Sequence, residues 1–294
     1  MPQVSSNGIE LTYEAFGDRA DPALVLVIGL GCQMVHWDDQ WCAQLAAAGF
    51  WVVRFDNRDV GCSTKLSHLG VPNVVRISAK KLLRLPVRSP YSLEDMADDT
   101  VGLLDALGLE QAHVVGASLG GMVAQLVAIR HPTRVRSLTS WMSTPGESRF
   151  RPTHRATLAL IKRAPDDLDA RVEHAVRVMR VIGSPSPIFD EVGIRRRAKA
   201  ALARNTERAG FARQLAAVVA AAPRTNALRA MRGVPTLVLH GDVDPLIPVT
   251  AAYATAAAVR GARLVTFPNV GHDLPPSIYE RAITAIADNA MRKL

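Results

Sequence analysis

Residues 113–121 read His113-Val114-Val115-Gly116-Ala117-Ser118-Leu119-Gly120-Gly121. Ala112–Val115 has the look of a short buried strand. Leu119–Arg130 has that of a helix, stopped near His131-Pro132 because the residue before a proline resists helical geometry. The Gly116-x-Ser118-x-Gly120 between them leaves no loop, so the chain must turn sharply from strand to helix. A serine at such a turn takes a strained backbone. Its flanking positions must be glycine, since a side chain there would strike the neighbouring strand or helix. The turn projects the Ser118 hydroxyl at a helix N-terminus, where free amides and the dipole favour negative charge. This is the pattern of a nucleophile elbow in its expected strand-turn-helix context.

The rest of the chain supplies that context. Gly8–Ala15 alternates like a strand. Ala23–Ile28 is a continuous apolar run, as in a strand covered on both faces. Trp41–Ala48 reads as a helix and Trp51–Asp56 as a strand. A helix starts at Ser92 as N-cap and closes at Gly108. Val135–Met142 is a strand. From about Pro145 to Gly233 the strand pattern stops. Leu168, Val172, Ala175, Met179 and Ile182 recur at helical spacing, and Ala198–Ala222 is Ala- and Arg-rich with a helical period. Alternation then resumes with strand Thr236–His240, helix Thr250–Arg260, strand Arg263–Phe267 and a last helix over about Pro276–Met291. Strands alternating with helices imply an α/β fold with a mostly parallel, doubly wound sheet. We expect a core of residues 1–144 and 234–294, with 145–233 inserted as an all-helical cap.

Composition excludes several classes. Hydrophobic residues make up 48% against 21% charged, too apolar for a disordered chain. No apolar run reaches the ~18 residues of a membrane-spanning helix. Met1–Ser6 lacks the basic start and apolar stretch of a signal peptide. Cys32, Cys42 and Cys62 are too few and too unevenly placed for a disulfide framework or a zinc site, so a reducing, cytoplasmic setting is expected. Neither metal nor cofactor is expected. The net charge of +8 is uneven: Arg149–Arg232 carries +11 and the remainder −3. With few aromatics and no nucleic-acid motif in that segment, nucleic acid is not the expected partner. Solvated Arg-rich helix faces are the plain reading. Attraction to anionic substrates, or peripheral contact with an anionic membrane, is the sharper one.

A serine hydroxyl needs a general base, and the base needs an orienting acid. With this elbow the chain order is Ser, then Asp or Glu, then His. His36, His68 and His113 precede Ser118. His131 suits a helix end, His154 and His174 belong to the basic segment, and His240 ends a strand. His272 follows the strand ending at Phe267, in the loop Pro268-Asn269-Val270-Gly271-His272-Asp273, and is the candidate base. The acid should lie in the loop after the previous strand, His240-Gly241-Asp242-Val243-Asp244-Pro245. Asp242 can serve the turn alone. Asp244, pinned by Pro245, is the candidate acid.

Gly116-Ala117-Ser118-Leu119-Gly120, the Asp244 loop and Gly271-His272, in this order, resemble the α/β-hydrolase fold family. More narrowly, Leu24–Gly31 with Phe55-Asp56-Asn57-Arg58-Asp59-Val60-Gly61-Cys62-Ser63 resembles the branch of mycobacterial lipase G-like and aclacinomycin methylesterase-like serine esterases. The resemblance implies cofactor-free hydrolysis of a small-molecule or lipid ester, or a thioester, through an acyl-enzyme. It also implies an oxyanion hole from the backbone N–H groups of Leu30 and Leu119. Many relatives carry His-Gly where this chain has Ile28-Gly29. Asp56 and Arg58 read as loop-bracing partners, and Cys32 as a small buried side chain. Ser118 argues against epoxide hydrolases and haloalkane dehalogenases, which use a carboxylate there. C–C bond hydrolysis, acyl transfer, cofactor-free haloperoxidation or slow-turnover ligand binding remain as alternatives on the same triad. Oligomeric state is not legible.

Overall fold

The computed structural model describes residues 1–83 and 85–292. Among them eight strands form one sheet: β1 (Gln3–Ser6), β2 (Ile9–Phe16), β3 (Ala23–Val27), β4 (Trp51–Phe55), β5 (Ala112–Ala117), β6 (Val135–Trp141), β7 (Thr236–Gly241) and β8 (Arg263–Phe267). Their spatial order is β1-β2-β4-β3-β5-β6-β7-β8. The β1/β2 and β2/β4 pairs are antiparallel and all later pairs are parallel.

The apolar run at β3 explains the layering. All five of its residues are buried. Ala23, Val25 and Val27 point into one core; Leu24 and Leu26 point into the other. Period-two alternation thus feeds two hydrophobic layers, one on each face. One layer holds α3 (Leu93–Ala106) and α4 (Leu119–Arg130); the other holds α1 (Asp39–Ala47) and α11 (Tyr279–Ala290). Ser92 caps α3 in a reciprocal box: its hydroxyl accepts from the Asp95 N–H at 3.1 Å, and Asp95 accepts from the Ser92 N–H at 2.7 Å.

Between β6 and β7 the regular elements are helical: α5 (His154–Ile161), α6 (Leu168–Ile182), α7 (Glu191–Arg204), α8 (Ala209–Ala220) and α9 (Thr225–Ala230). The Ala- and Arg-rich run over Ala198–Ala222 is not continuous. Asn205, in extended conformation, ends α7, and α8 begins four residues later. Two elements escape the sequence pattern. β1 is a four-residue edge strand with only Ser6 buried. α2 (Val74–Leu82) has no fully buried residue. α10 (Thr250–Ala258) completes the helices between β7 and β8.

The basic helical segment is joined to the sheet by ion pairs. Arg213 of α8 grips Asp59 in a bidentate pair, 2.7 and 2.8 Å, and both side chains are fully buried. Arg204 of α7 reaches Asp56 at 2.7 Å. Arg196 and Arg197 converge on Asp38. Part of the charge asymmetry of +11 against −3 therefore acts internally, with Arg196, Arg197, Arg204 and Arg213 of the helical segment meeting carboxylates on the rim of the sheet.

Candidate active site

Parallel strands deliver their C-terminal loops to one edge of the sheet, and ligands of open α/β sheets bind there. The register makes this concrete. Val27 at the end of β3 pairs with Gly116 of β5, Ala117 with Trp141 of β6, and Gly241 of β7 with Phe267 of β8. The loops that follow are those singled out above.

Ser118 joins β5 to α4 with no intervening residue and has φ +57°, ψ −117°. A non-glycine residue there is strained and must be held by its surroundings. The Ser118 N–H donates to the Trp141 carbonyl at 2.9 Å, and the Ser143 hydroxyl donates to the Ser118 carbonyl at 2.8 Å. The flanking glycines are required by contact. A Cβ on Gly116 would lie 2.0 Å from the Gly120 carbonyl oxygen, and one on Gly120 would lie 2.0 Å from that of Val27.

The structure brings Ser118, His272 and Asp244 into one line. His272 Nε2 lies 2.9 Å from Ser118 Oγ, and His272 Nδ1 lies 2.6 Å from Asp244 Oδ2. The other Asp244 oxygen accepts from the N–H groups of Leu246 and Ile247 at 2.8 and 2.9 Å. Burial alone would push the Asp244 carboxyl up. The His272 and His240 imidazoles outweigh it and hold the group well below the usual carboxylate range. An ionised Asp244 only accepts, so it fixes the Nδ1–H tautomer of His272 and leaves Nε2 free to take the hydroxyl proton. Asp242 does not join them. It accepts from the Asn269 N–H at 2.7 Å and so ties its loop to the His272 loop, rather than bracing its own turn as the sequence suggested. His240 donates from Nε2 to the Ile247 carbonyl at 2.8 Å.

Leu30 lies in the turn Gly29-Leu30-Gly31-Cys32, closed by a hydrogen bond from the Cys32 N–H to the Gly29 carbonyl at 3.2 Å. Gly31 is left-handed there, φ +67°. The N–H groups of Leu30 and Leu119 find no acceptor among the described residues. A Cβ on Gly29 would sit 3.3 Å from that of Ser118, so the turn abuts the serine. Ile28 packs into the core. The bracing comes from elsewhere: Asn57 Nδ2 donates to the Ile28 carbonyl at 3.0 Å. Asp56 accepts from the Met34 and Cys62 N–H groups, and Arg58 forms a buried bidentate pair with Asp99. Asp56 and Arg58 are thus braces, as the sequence suggested. Cys32, read from the sequence as a buried side chain, is only half-buried; desolvation by its neighbours still pushes the thiol up to about 11, which keeps it protonated at neutral pH.

Three further residues were not singled out in the sequence. Gln214 of α8 accepts the Gly31 N–H on Oε1 at 2.8 Å and donates from Nε2 to the Arg58 carbonyl at 2.9 Å. Ser184, just past α6, accepts the Gly271 N–H at 3.1 Å and donates to Asp273 at 2.6 Å. Asp273 also accepts from the Ser184 N–H, and the His272 N–H donates to the Ile182 carbonyl at 2.7 Å. A Cβ on Gly271 would lie 2.3 Å from the Gly183 backbone, so the two segments touch main chain to main chain. Only Asp273 carried a signal, its place beside His272. Gln214 and Ser184 lie in a region with no motif. Among the described residues no group of three or more side chains is suited to hold a metal ion.

Comparison with known proteins agrees with this architecture. The family profile of the alpha/beta hydrolase fold matches residues 22–179, and that of TAP-like proteins matches 214–288. The chain is 28% identical to the rhodomycin D methylesterase of Streptomyces sp. (strain C5), over 96% of this chain and 95% of that one. It is 33% identical to the 2-hydroxymuconate semialdehyde hydrolase of Pseudomonas sp. (strain CF600), over 64% of each. Among solved structures, the enol-lactonase of Burkholderia xenovorans LB400 superposes with a TM-score of 0.72 at 24% identity, covering 99% of this chain and 100% of that one. The eight-stranded sheet, the serine turn after its fifth strand and the profile match lead to one conclusion: the chain belongs to the alpha/beta hydrolase fold family.

Proposed function

We propose that the protein is a serine hydrolase that cleaves carboxylic esters through an acyl-enzyme. Ser118 Oγ attacks the acyl carbon while His272 Nε2 takes its proton. The carbonyl oxygen becomes an oxyanion, held by the Leu30 and Leu119 N–H groups and favoured by the N-terminus of α4. The C–O bond to the leaving group breaks, and His272 returns the proton to the departing alcohol. Water then gives a proton to His272 and attacks the acyl carbon, releasing the acid and regenerating Ser118. Asp244 holds the imidazole tautomer and stabilises the imidazolium in both steps. The sequence needs no cofactor.

The observation that carries this reading is the unbroken line from Ser118 through His272 to Asp244, at 2.9 and 2.6 Å. The full-length similarity to a methylesterase favours an ester with a small alcohol as the leaving group. Phe211 of α8 packs within 2.6 Å of where a Gly31 Cβ would stand, so an aromatic ring from the helical segment shapes the space beside the Leu30 turn. Ser118→Ala should lower p-nitrophenyl ester turnover by on the order of 10⁴-fold without changing the melting temperature. Full turnover in that variant would overturn the assignment. A second reading, hydrolytic C–C cleavage by the same residues, is favoured by the partial similarity to the muconate semialdehyde hydrolase. It would be preferred if a ring-cleavage dienoate were hydrolysed at its C–C bond faster than any simple ester.

A further inference from the structure

Residues 60–93 contain six cations, Lys65, Arg76, Lys80, Lys81, Arg84 and Arg88, and no Asp or Glu. This stretch includes α2, and its side chains are arranged unlike those of the cap. Val74 and Ile77 are half-buried, and α2 packs on α8. Lys81 Nζ donates to the Ala220 and Ala221 carbonyls at 3.2 and 3.0 Å, closing the end of α8. The outward face carries Val75, Ala79 and Leu82 at i, i+4 and i+7, one continuous stripe of a helix. Val75 is 81% and Leu82 is 74% exposed. Leu83 and Leu85 continue the apolar surface beyond the helix end, and Val71 precedes it, all exposed.

Arg76 and Arg88 are exposed beside this stripe, and Lys80 is half-buried. None of them pairs with a carboxylate among the described residues. The surface continues past Val71 into an open cleft of about 700 Å3 where Leu168, Arg163, Arg171 and Arg208 meet. The two carboxylates there are engaged: Asp166 lies 3.2 Å from Arg208, and Glu207 accepts from Ser67 at 3.1 Å.

An apolar stripe flanked by cations is the pattern of a helix that lies in the headgroup plane of a bilayer. The cations complement anionic phosphates, and the exposed Val and Leu side chains reach the acyl boundary. Among the described residues no helix is long and apolar enough to cross a membrane, so the contact is peripheral. We propose that α2 and the described residues flanking it, 71–83 and 85–88, form a docking surface for an anionic phospholipid bilayer. The surface leans on α8, the helix that carries Gln214 and Phe211. The inference is independent of the ester chemistry, because adhesion requires no turnover.

The test is sedimentation of the full-length protein with vesicles of phosphatidylglycerol and phosphatidylcholine, against vesicles of phosphatidylcholine alone. Binding is expected to the anionic vesicles only and to weaken at high salt. The double variant Val75→Asp/Leu82→Asp should partition at least tenfold less, with hydrolysis of a soluble p-nitrophenyl ester and the melting temperature unchanged. Arg76→Glu/Arg88→Glu keeps the apolar stripe and should also lower binding, by about fivefold or more for each charge reversed. Equal binding to both vesicle types would overturn the proposal, as would anionic binding that neither variant alters. So would a concentration-dependent dimer in light scattering, abolished by Val75→Asp/Leu82→Asp, in a protein that ignores vesicles.

Discussion

The two halves of the candidate site are held by different parts of the molecule. Ser118 and Asp244 are fixed by the sheet and its own loops, through Trp141, Ser143, Leu246 and Ile247. The His272 loop and the Leu30 turn depend on the helical insertion, through Ile182 and Ser184 for one and Gln214 for the other. The sheet thus places the Ser118 hydroxyl and the Asp244 carboxylate, while the insertion holds the His272 loop and the Leu30 turn. The helical insertion is part of the scaffold and not a simple cover.

The comparison can be broken most severely on the sheet side. Asp244→Asn should lower kcat by on the order of 10⁴-fold, because the amide can impose the wrong His272 tautomer; steady-state ester kinetics would show it. Next comes the seam between the halves. Arg213→Met strands the buried Asp59 carboxylate and should cost about 3–5 kcal/mol of stability, read from denaturant unfolding. Adding Asp59→Asn should recover part of the loss, which would separate the stranded charge from lost packing. Arg195, paired with Glu173 and Glu191 on the solvent side of the helical insertion, gives the contrast: Arg195→Ala should leave the denaturation midpoint nearly unchanged.

Acid loads the sheet differently. His113 is buried on β5 against Ser137, and burial lowers its pKa to about 4 from 6.5. The unfolded chain therefore binds this proton first as pH falls. The neutral-His113 contribution is intact above about pH 6.5 and is lost on descending through about pH 4. It amounts to on the order of 3 kcal/mol. His113→Asn should flatten that part of the stability profile. Asp244, held below the usual range, stays ionised throughout the same window.

The amide bridge from α8 to the Leu30 turn sharpens the comparison most. Gln214→Leu should leave the fold and KM nearly intact and lower kcat by about 10–100-fold, through a misplaced Leu30 turn. Gln214→Glu keeps the acceptor for Gly31 and should restore part of the rate. An unchanged kcat in Gln214→Leu would return the insertion to the role of a cover.

The sequence and the structure agree where local rules suffice. The apolar run of β3, the Gly-x-Ser-x-Gly turn and the Ser92 cap each follow from a few adjacent residues. The choice of Asp244 over Asp242 is also within reach, from its place further into the loop and before Pro245; what Asp242 binds, the Asn269 N–H of another loop, is not. What escaped depends on distant partners. Arg213 and Asp59 are 154 positions apart, and counting charge by segment records an excess without saying what it meets. β1 is short with only Ser6 buried, and α2 buries no residue fully. Neither therefore shows the inward-facing apolar periodicity by which elements are recognised. Gln214 acts through one amide contact, which no spacing rule encodes.

The main-chain contact between Gly183 and Gly271 limits how the molecule can open. With no side chain between them to slide or swing, the end of α6 and the imidazole loop travel as one body. Lifting the whole insertion like a hinged lever would carry the base away from the hydroxyl. Any route for substrate and product therefore has to leave the α6 end in place, as the fixed jamb of the doorway.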